Sequence, residues 1–208
     1  MGNPTIGVYA KPDGIHLRLI ARASDQEKAA ALILAAENKL RRTLADQIWG
    51  TDSDTLESMV GKLLSAKHLT LATMESCTGG LLASTITDVP GSSAYFKGGF
   101  VAYTNEMKTS LGVDAGLIEK HGAVSRETAE AMAEAARRRL KADIGLAVTG
   151  VAGPDPLEAK PPGLVYVGLA DRDNIRSVEG RYPPRRADVR RRAVTHALVV
   201  LRQELESR

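Results

Sequence analysis

The chain reads as an α/β protein, a three-layer α/β/α domain preceded by a small α+β domain. From Thr55 onward, short strand-like apolar runs alternate with amphipathic helical patterns, the succession that covers a sheet with helices. Aromatic residues make up only 4% of the chain while Ala, Leu and Val are plentiful, which suits helices packed on a sheet better than a sandwich of aromatic-rich strands. At 208 residues and 43% hydrophobic content, the chain fills one ordinary core plus a small appendage.

The small domain is expected over residues 1–50 and the larger one over 51–208, with the break at Gly50-Thr51-Asp52. Thr5 to Lys11 and Gly14 to Ala23 read as a hairpin around the turn Pro12-Asp13-Gly14. Ser24 or Asp25 caps the next helix, with Glu27 completing a capping box to Ser24, and Ala29, Leu32, Ile33, Ala36, Leu40 and Leu44 fall at helical spacing. Gln47 to Trp49 reads as a short third strand. Leu56, Met59, Val60, Leu63 and Leu64 build a second amphipathic helix, which leads into LTLATMESCTGGLL, Leu69 to Leu82. There a strand gives way at Thr78-Gly79-Gly80 to a helix running to about Thr87, and the unpaired N–H groups at its start place an anion site beside Ser76 and Cys77. Phe100 to Tyr103 reads as the next strand. Thr104-Asn105-Glu106 caps a helix holding Met107, Lys108 and Leu111, and another helix begins near Ala115. Ser125 opens a long helix with Ala129, Met132, Ala133, Ala136 and Leu140 inward, and Ile144 to Val148 is a continuous apolar strand of the fully buried kind. Val165 to Ala170 and Ile175 to Tyr182 form a second hairpin. Ala187 to Leu205 closes the chain as a helix with Val189, Ala193, Ala197, Leu198 and Leu201 inward.

Composition narrows the function classes. The net charge of +3 and pI near 9.0 are mild, and much of the excess lies between Arg181 and Arg192, so nucleic-acid binding by the whole chain does not follow. One cysteine excludes an internal disulfide framework, and with four scattered histidines it leaves no metal-ligand spacing. No metal or cofactor is expected. Neither a basic-then-apolar leader nor an uninterrupted apolar run of about 18 residues is present, so no membrane association is expected and the cytoplasm is the expected compartment.

In open α/β sheets, ligands sit outside the carboxyl ends of strands. Three such ends carry loops able to do chemistry: Glu75 to Gly80, Tyr103 to Lys108, and Thr149-Gly150-Val151-Ala152-Gly153-Pro154. A serine hydroxyl becomes a good nucleophile only when a base takes its proton, and a neutral lysine does so if burial lowers its pKa. Cys77 is a second nucleophile by chemistry, though a lone cysteine at a helix start is more simply a small buried apolar residue. Glu75 either orients Lys108 or a substrate, or satisfies nearby N–H groups. Tyr166 and Trp49 read as core or interface residues.

Taken together, ESCTGG, YTNEMK, TGVAGP and GLVYVG, in that order, resemble the C-terminal nicotinamide mononucleotide deamidase domain of the CinA family, over roughly Thr55 to Leu205. PTIGVYAKPDGIHLRLIARA resembles the small KH-like connecting domain that precedes it in full-length members. The large N-terminal domain of those members has no counterpart here, as in a fragment or a natural short form. The resemblance implies hydrolysis of nicotinamide mononucleotide to nicotinate mononucleotide and ammonia, in pyridine nucleotide salvage and without a metal. Ser76 would be the nucleophile, with Lys108 and Tyr103 assisting. Glu75, Thr78, Gly79, Gly80, Asn105, Thr149 and Gly150 would contact substrate, and late arginines matching Arg186 and Arg190 would meet the phosphate. The family usually shows Gly-Asp-Arg before the last helix, where this chain reads Pro184-Arg185-Arg186. It also implies a homo-oligomer, at least a dimer. The alternative is a non-catalytic nucleotide-binding or scaffold module. An RNA-binding role for the KH-like segment is disfavoured, since Lys11-Pro12-Asp13-Gly14 is not a Gly-x-x-Gly loop.

Overall fold

A computed structural model describes residues 2–11 and 14–208 and divides the chain into two compact units, Met1–Ser53 and Asp54–Arg208. In the first unit, β1 (Thr5–Lys11) and β2 (Gly14–Ile20) pair antiparallel, from Thr5 opposite Ile20 to Lys11 opposite Gly14. The expected turn at Pro12 and Asp13 lies outside the described residues. Asn3 closes the open end, its side chain donating to the Arg22 carbonyl (2.8 Å) and accepting from the Arg22 N–H (3.0 Å). Helix α1 (Gln26–Leu44) is capped by Asp25, whose carboxylate accepts from the Lys28 N–H at 2.8 Å. The Ser24–Glu27 capping box is therefore corrected: Ser24 instead donates to the Asp25 carboxylate. The apolar stripe from Ala29 to Leu44 is the half-buried face of α1, as the spacing predicts. The third strand expected at Gln47 to Trp49 does not form. Ala45 turns left-handed (φ 46°), a single 3₁₀ turn spans Ala45–Gln47, and residues 48 and 49 pair with no strand among the described residues.

The second unit runs α2 (Leu56–Ala66), β3 (Leu71–Glu75), α3 (Leu81–Thr87), β4 (Phe96–Val101), α4 (Asn105–Ser110), α5 (Ala115–His121), α6 (Arg126–Leu140), β5 (Ile144–Gly150), β6 (Leu164–Ala170), β7 (Ile175–Arg181) and α7 (Arg186–Ser207). The five strands order β4-β3-β5-β6-β7, with β3 parallel to both neighbours and β5, β6 and β7 successively antiparallel. Helix α6 packs along one face and α7, with α2 and α3, along the other, giving the three-layer α/β/α sandwich. Thr104 and Ser125 cap α4 and α6 as their side chains predict, accepting from the N–H groups of Met107 and Thr128. β5 is buried from Ile144 to Thr149, the central strand its apolar run announces.

Strand β4 corrects the sequence reading, which set it at Phe100 to Tyr103. It starts at Phe96 because Gly98 takes φ 133° and Gly99 lies where a side chain would overlap the Thr73 hydroxyl, so two glycines interrupt an apolar pattern without interrupting the strand. Tyr103 thus falls beyond the strand, on the loop into α4. Glycine also sets the α6 layer: a methyl on Gly145 or Gly168 would overlap the backbone carbonyl of Ala133 or Ala129. The alanine face of α6 rests directly on β5 and β6.

Candidate active site

The focal corner is the end of β3. Ser76 leaves the strand with its N–H donating to the Val148 carbonyl at 2.8 Å, so the neighbouring strand β5 fixes where the hydroxyl emerges. Ser76 keeps 9% of its surface exposed, Cys77 7% and Thr78 none. The turn tightens through Gly79 and Gly80 (φ 59° and 92°), conformations that glycine adopts without strain.

Glu75 corrects the expectation of an anion site here. Its buried carboxylate accepts from the N–H groups of Gly80 (3.0 Å), Leu82 (3.0 Å) and Ala83 (2.8 Å). The protein's own acid therefore occupies the positive end of α3, and Glu75 caps that helix. Gly79 N–H is also committed, to the Ser76 carbonyl. Among the described residues, the Thr78 N–H has no protein acceptor, and the buried Thr78 hydroxyl has no partner.

Lys108 is the largest departure from ordinary surface chemistry. It sits on α4 with 1% of its surface exposed. Burial pulls its pKa below the usual lysine value, opposed by the charges of Glu158, Cys77 and Glu106. An amine with a lowered pKa is better suited to general-base work than a solvated lysine. Cys77 shows the opposite effect. Burial, reinforced by Glu75, pushes its thiol up to about 12 against the pull of Arg190 and Arg186, so it stays protonated and a poor nucleophile. The mutual influence of Cys77, Lys108, Glu75, Arg186 and Arg190 marks one electrostatic neighbourhood.

The other expected residues divide into two groups. Arg190 donates to the Thr78 carbonyl (2.7 Å), and Arg186 bridges the Gly153 carbonyl (3.0 Å) and the Tyr103 hydroxyl (2.8 Å). The start of α7 thereby ties all three strand-end loops together. Tyr103, 55% exposed, is held by Arg186 and hydrogen-bonds to neither Ser76 nor Lys108, which are themselves not hydrogen-bonded to each other. Thr149 and Gly150 both have structural partners. The Thr149 hydroxyl donates to the Ala123 carbonyl at 2.7 Å, and Gly150 lies against β6, where a methyl would come within 2.7 Å of the Leu164 carbonyl oxygen. Asn105 lines an open depression of about 520 Å³ with Ile118, Gly122, Glu158 and Lys160.

Glu158 and Lys160 escape the sequence reading. They lie between β5 and β6 with no motif to mark them, yet Glu158 accepts from Ala123 and Val124 N–H groups 35 and 34 residues away. Among the described residues no group of three or more His, Cys, Asp or Glu is placed to hold a metal ion, and no helix is long and apolar enough to cross a membrane.

Comparison with known proteins agrees with this architecture. The model of the CinA C-terminal domain matches residues 53–205, and that of the damage-inducible protein CinA KH domain matches residues 1–50. A putative competence-damage inducible protein of Moorella thermoacetica is 46% identical over 207 residues, covering 99% of this chain and 50% of that protein. A CinA-like protein of Frankia casuarinae is 47% identical over 206 residues, covering 99% and 48%. The chain thus spans about half the length of these curated relatives. Among solved structures, the competence/damage inducible protein CihA from Agrobacterium tumefaciens superposes with TM-score 0.69 at 40% identity, over 73% of this chain and 93% of that one. A CinA superfamily protein from Klebsiella pneumoniae gives TM-score 0.72 at 31% identity, over 74% and 97%. By sequence and by fold, the chain belongs to the CinA family.

Proposed function

We propose that the chain is an amidohydrolase that converts nicotinamide mononucleotide to nicotinate mononucleotide and ammonia, with Ser76 as nucleophile and Lys108 as general base. The observation that carries this reading is the burial of Lys108 within electrostatic reach of Cys77, the residue after Ser76, with its pKa lowered. In the first half-reaction, the proton of the Ser76 hydroxyl passes to Lys108 Nζ as Oγ bonds to the carboxamide carbon. The oxyanion so formed needs donors, and the N–H groups of Cys77 and Thr78 are the candidates. The C–N bond then breaks, and the departing nitrogen takes the proton from Lys108 and leaves as ammonia. Water, deprotonated by the same amine, releases the acid and restores Ser76. Arg186 and Arg190 would meet the phosphate, and Tyr103, fixed by Arg186, would border the ligand. We further propose that the active form is at least a dimer.

The test is ammonia release from nicotinamide mononucleotide by the purified chain, with Ser76→Ala as control. Release that disappears in the variant supports the reading. Binding of the nucleotide by folded protein without any turnover refutes it and favours a binding or scaffold module.

A further inference from the structure

Helix α4 carries the candidate base with very little support of its own. It is six residues long, where a helix shorter than about 12–15 residues is marginal in water. Asn105, Glu106, Met107 and Ser110 are exposed, and its one buried side chain is Lys108, an amine that gains nothing from leaving water. What keeps the helix wound is therefore at its ends. Thr104 caps the start, accepting from the Met107 N–H at 3.2 Å. The finish is a Schellman turn, in which Val113 N–H donates to the Lys108 carbonyl (3.1 Å) and Gly112 N–H to the Thr109 carbonyl (2.9 Å), with Gly112 at φ 106°. The carbonyls of Ser110 and Leu111 remain, and one side chain from another element takes both. Arg139, in the last turn of α6, donates from Nη2 to Ser110 (2.7 Å) and from Nε to Leu111 (2.6 Å). The guanidinium lies over the turn, where a methyl on Gly112 would stand 3.8 Å from Nε. Helix α6 rests its alanine face directly on the sheet, so the grip on α4 is rooted in the central layers of the unit.

We infer that Arg139 is a positioning residue for the reaction, the clamp that keeps α4 wound and seated so that the Lys108 amine stays out of water. This deepens the proposed function and rests on its assignment of Lys108 as the base. The connection is made of hydrogen bonds at each step: the guanidinium holds the Ser110 and Leu111 carbonyls, and the turn those residues enter closes on the carbonyl of Lys108 itself. A buried amine is drawn toward solvent because hydration favours its charged form. An outward swing of α4 would hydrate it, and no apolar side chain of the helix is buried to resist that swing. The apolar anchors Leu111 and Val113 come only after the helix has ended. Arginine suits the task, since its planar fork spans two successive carbonyls in fixed geometry where a lysine ammonium acts as a point. Its charge also lies at the negative end of α4, where a cation steadies the helix. The lowered pKa of Lys108 is in keeping with an amine held in its buried seat.

Three variants of the full chain separate seating of the amine from general stability. Arg139→Met keeps the aliphatic stem and removes both donors, and Arg139→Lys returns one charged donor. Arg138→Met is the control, removing a charge from the next position of α6, whose guanidinium pairs with Glu134 on its own helix. The titration of Lys108 is followed directly by NMR of chain labelled with ¹³C at lysine Cε, which needs no turnover, and its resonance is assigned by its loss in Lys108→Met. The expected result is a Lys108 midpoint raised by roughly 0.5–1 pH unit in Arg139→Met, raised by less in Arg139→Lys and unmoved in Arg138→Met. The Val113 amide, bonded to the Lys108 carbonyl, should exchange with deuterium about 5-fold faster or more in Arg139→Met. A Lys108 midpoint that stays in place in Arg139→Met, or moves as far in Arg138→Met, overturns the inference, because a merely structural arginine lowers the melting temperature without hydrating the amine. If the wild-type chain releases ammonia from nicotinamide mononucleotide, kcat of Arg139→Met should fall roughly 3- to 10-fold near neutral pH with KM little changed, and the rising limb of its pH profile should move up with the NMR midpoint. A raised midpoint in a chain that releases no ammonia supports the seating of Lys108 while removing the deamidase reading. Ammonia release with an unmoved midpoint does the reverse.

Discussion

Replacing Glu75 by Gln tests the central claim about the corner that presents Ser76. The carboxylate accepts from the three N–H groups of Gly80, Leu82 and Ala83, two on Oε2 and one on Oε1. A glutamine in the same rotamer keeps its oxygen for two of them and turns an amide N–H₂ toward the third, donor against donor. A hydrogen bond to a charged group contributes about 1.5–3 kcal/mol, and the loss of negative charge at the positive end of α3 adds about 0.5–1 kcal/mol. The expected loss is therefore about 2–4 kcal/mol, a drop of roughly 5–15 °C in the melting transition of a unit this size, since each kcal/mol moves it by about 2–4 °C. Differential scanning calorimetry of the Glu75→Gln chain measures it, beside steady-state kinetics on nicotinamide mononucleotide. A variant with unchanged melting and a raised KM at constant kcat would make Glu75 a ligand contact and refute the capping argument.

Other outcomes follow from the same geometry. Cys77→Ala should retain turnover within a few-fold while Ser76→Ala loses about 10⁴-fold or more, and iodoacetamide should label Cys77 in native protein far more slowly than in urea, because its thiol is pushed up to about 12. Lys108→Met should abolish activity yet raise the melting temperature, since it replaces a buried amine with an apolar chain of similar length. The sign of the pH dependence is set by the lowered pKa of Lys108: between its folded value and 10.5 the unfolded chain binds more protons, so the wild type gains stability as pH rises through that window and Lys108→Met does not. Over the approach to that folded value, kcat/KM should also rise. Gly168→Ala should destabilise by about 1–3 kcal/mol in urea titrations, because α6 must lift off β6 to admit a methyl against the Ala129 carbonyl.

Much of the fold was legible because its signals are local. The caps at Thr104 and Ser125, the apolar run of β5 and the inward face of α7 each follow from residues within a few positions of one another. What stayed hidden depends on distant partners. Two glycines in β4 look like a break until Thr73 is placed beside Gly99. Glu75 next to a helix start reads as ligand contact or cap, and the three hydrogen bonds that cap α3 show only once the chain is folded. The candidate site shows the same division. Ser76 and Lys108 are recognisable from motifs, whereas burial of Lys108 is a property of the assembled core, and Glu158 reaches its partners across the whole of α6 and β5.

The contact between the glycines of β5 and β6 and the alanine face of α6 has a kinetic corollary. With Gly145 and Gly168 touching the helix backbone, α6, β5 and β6 share one rigid slab in which no side chain cushions the layers. Amides in that slab should exchange with deuterium only through global unfolding, while those of the short helix α4 and of the 157–160 hairpin exchange through local opening. The candidate base thus rides on a short helix, outside the slab that does not yield.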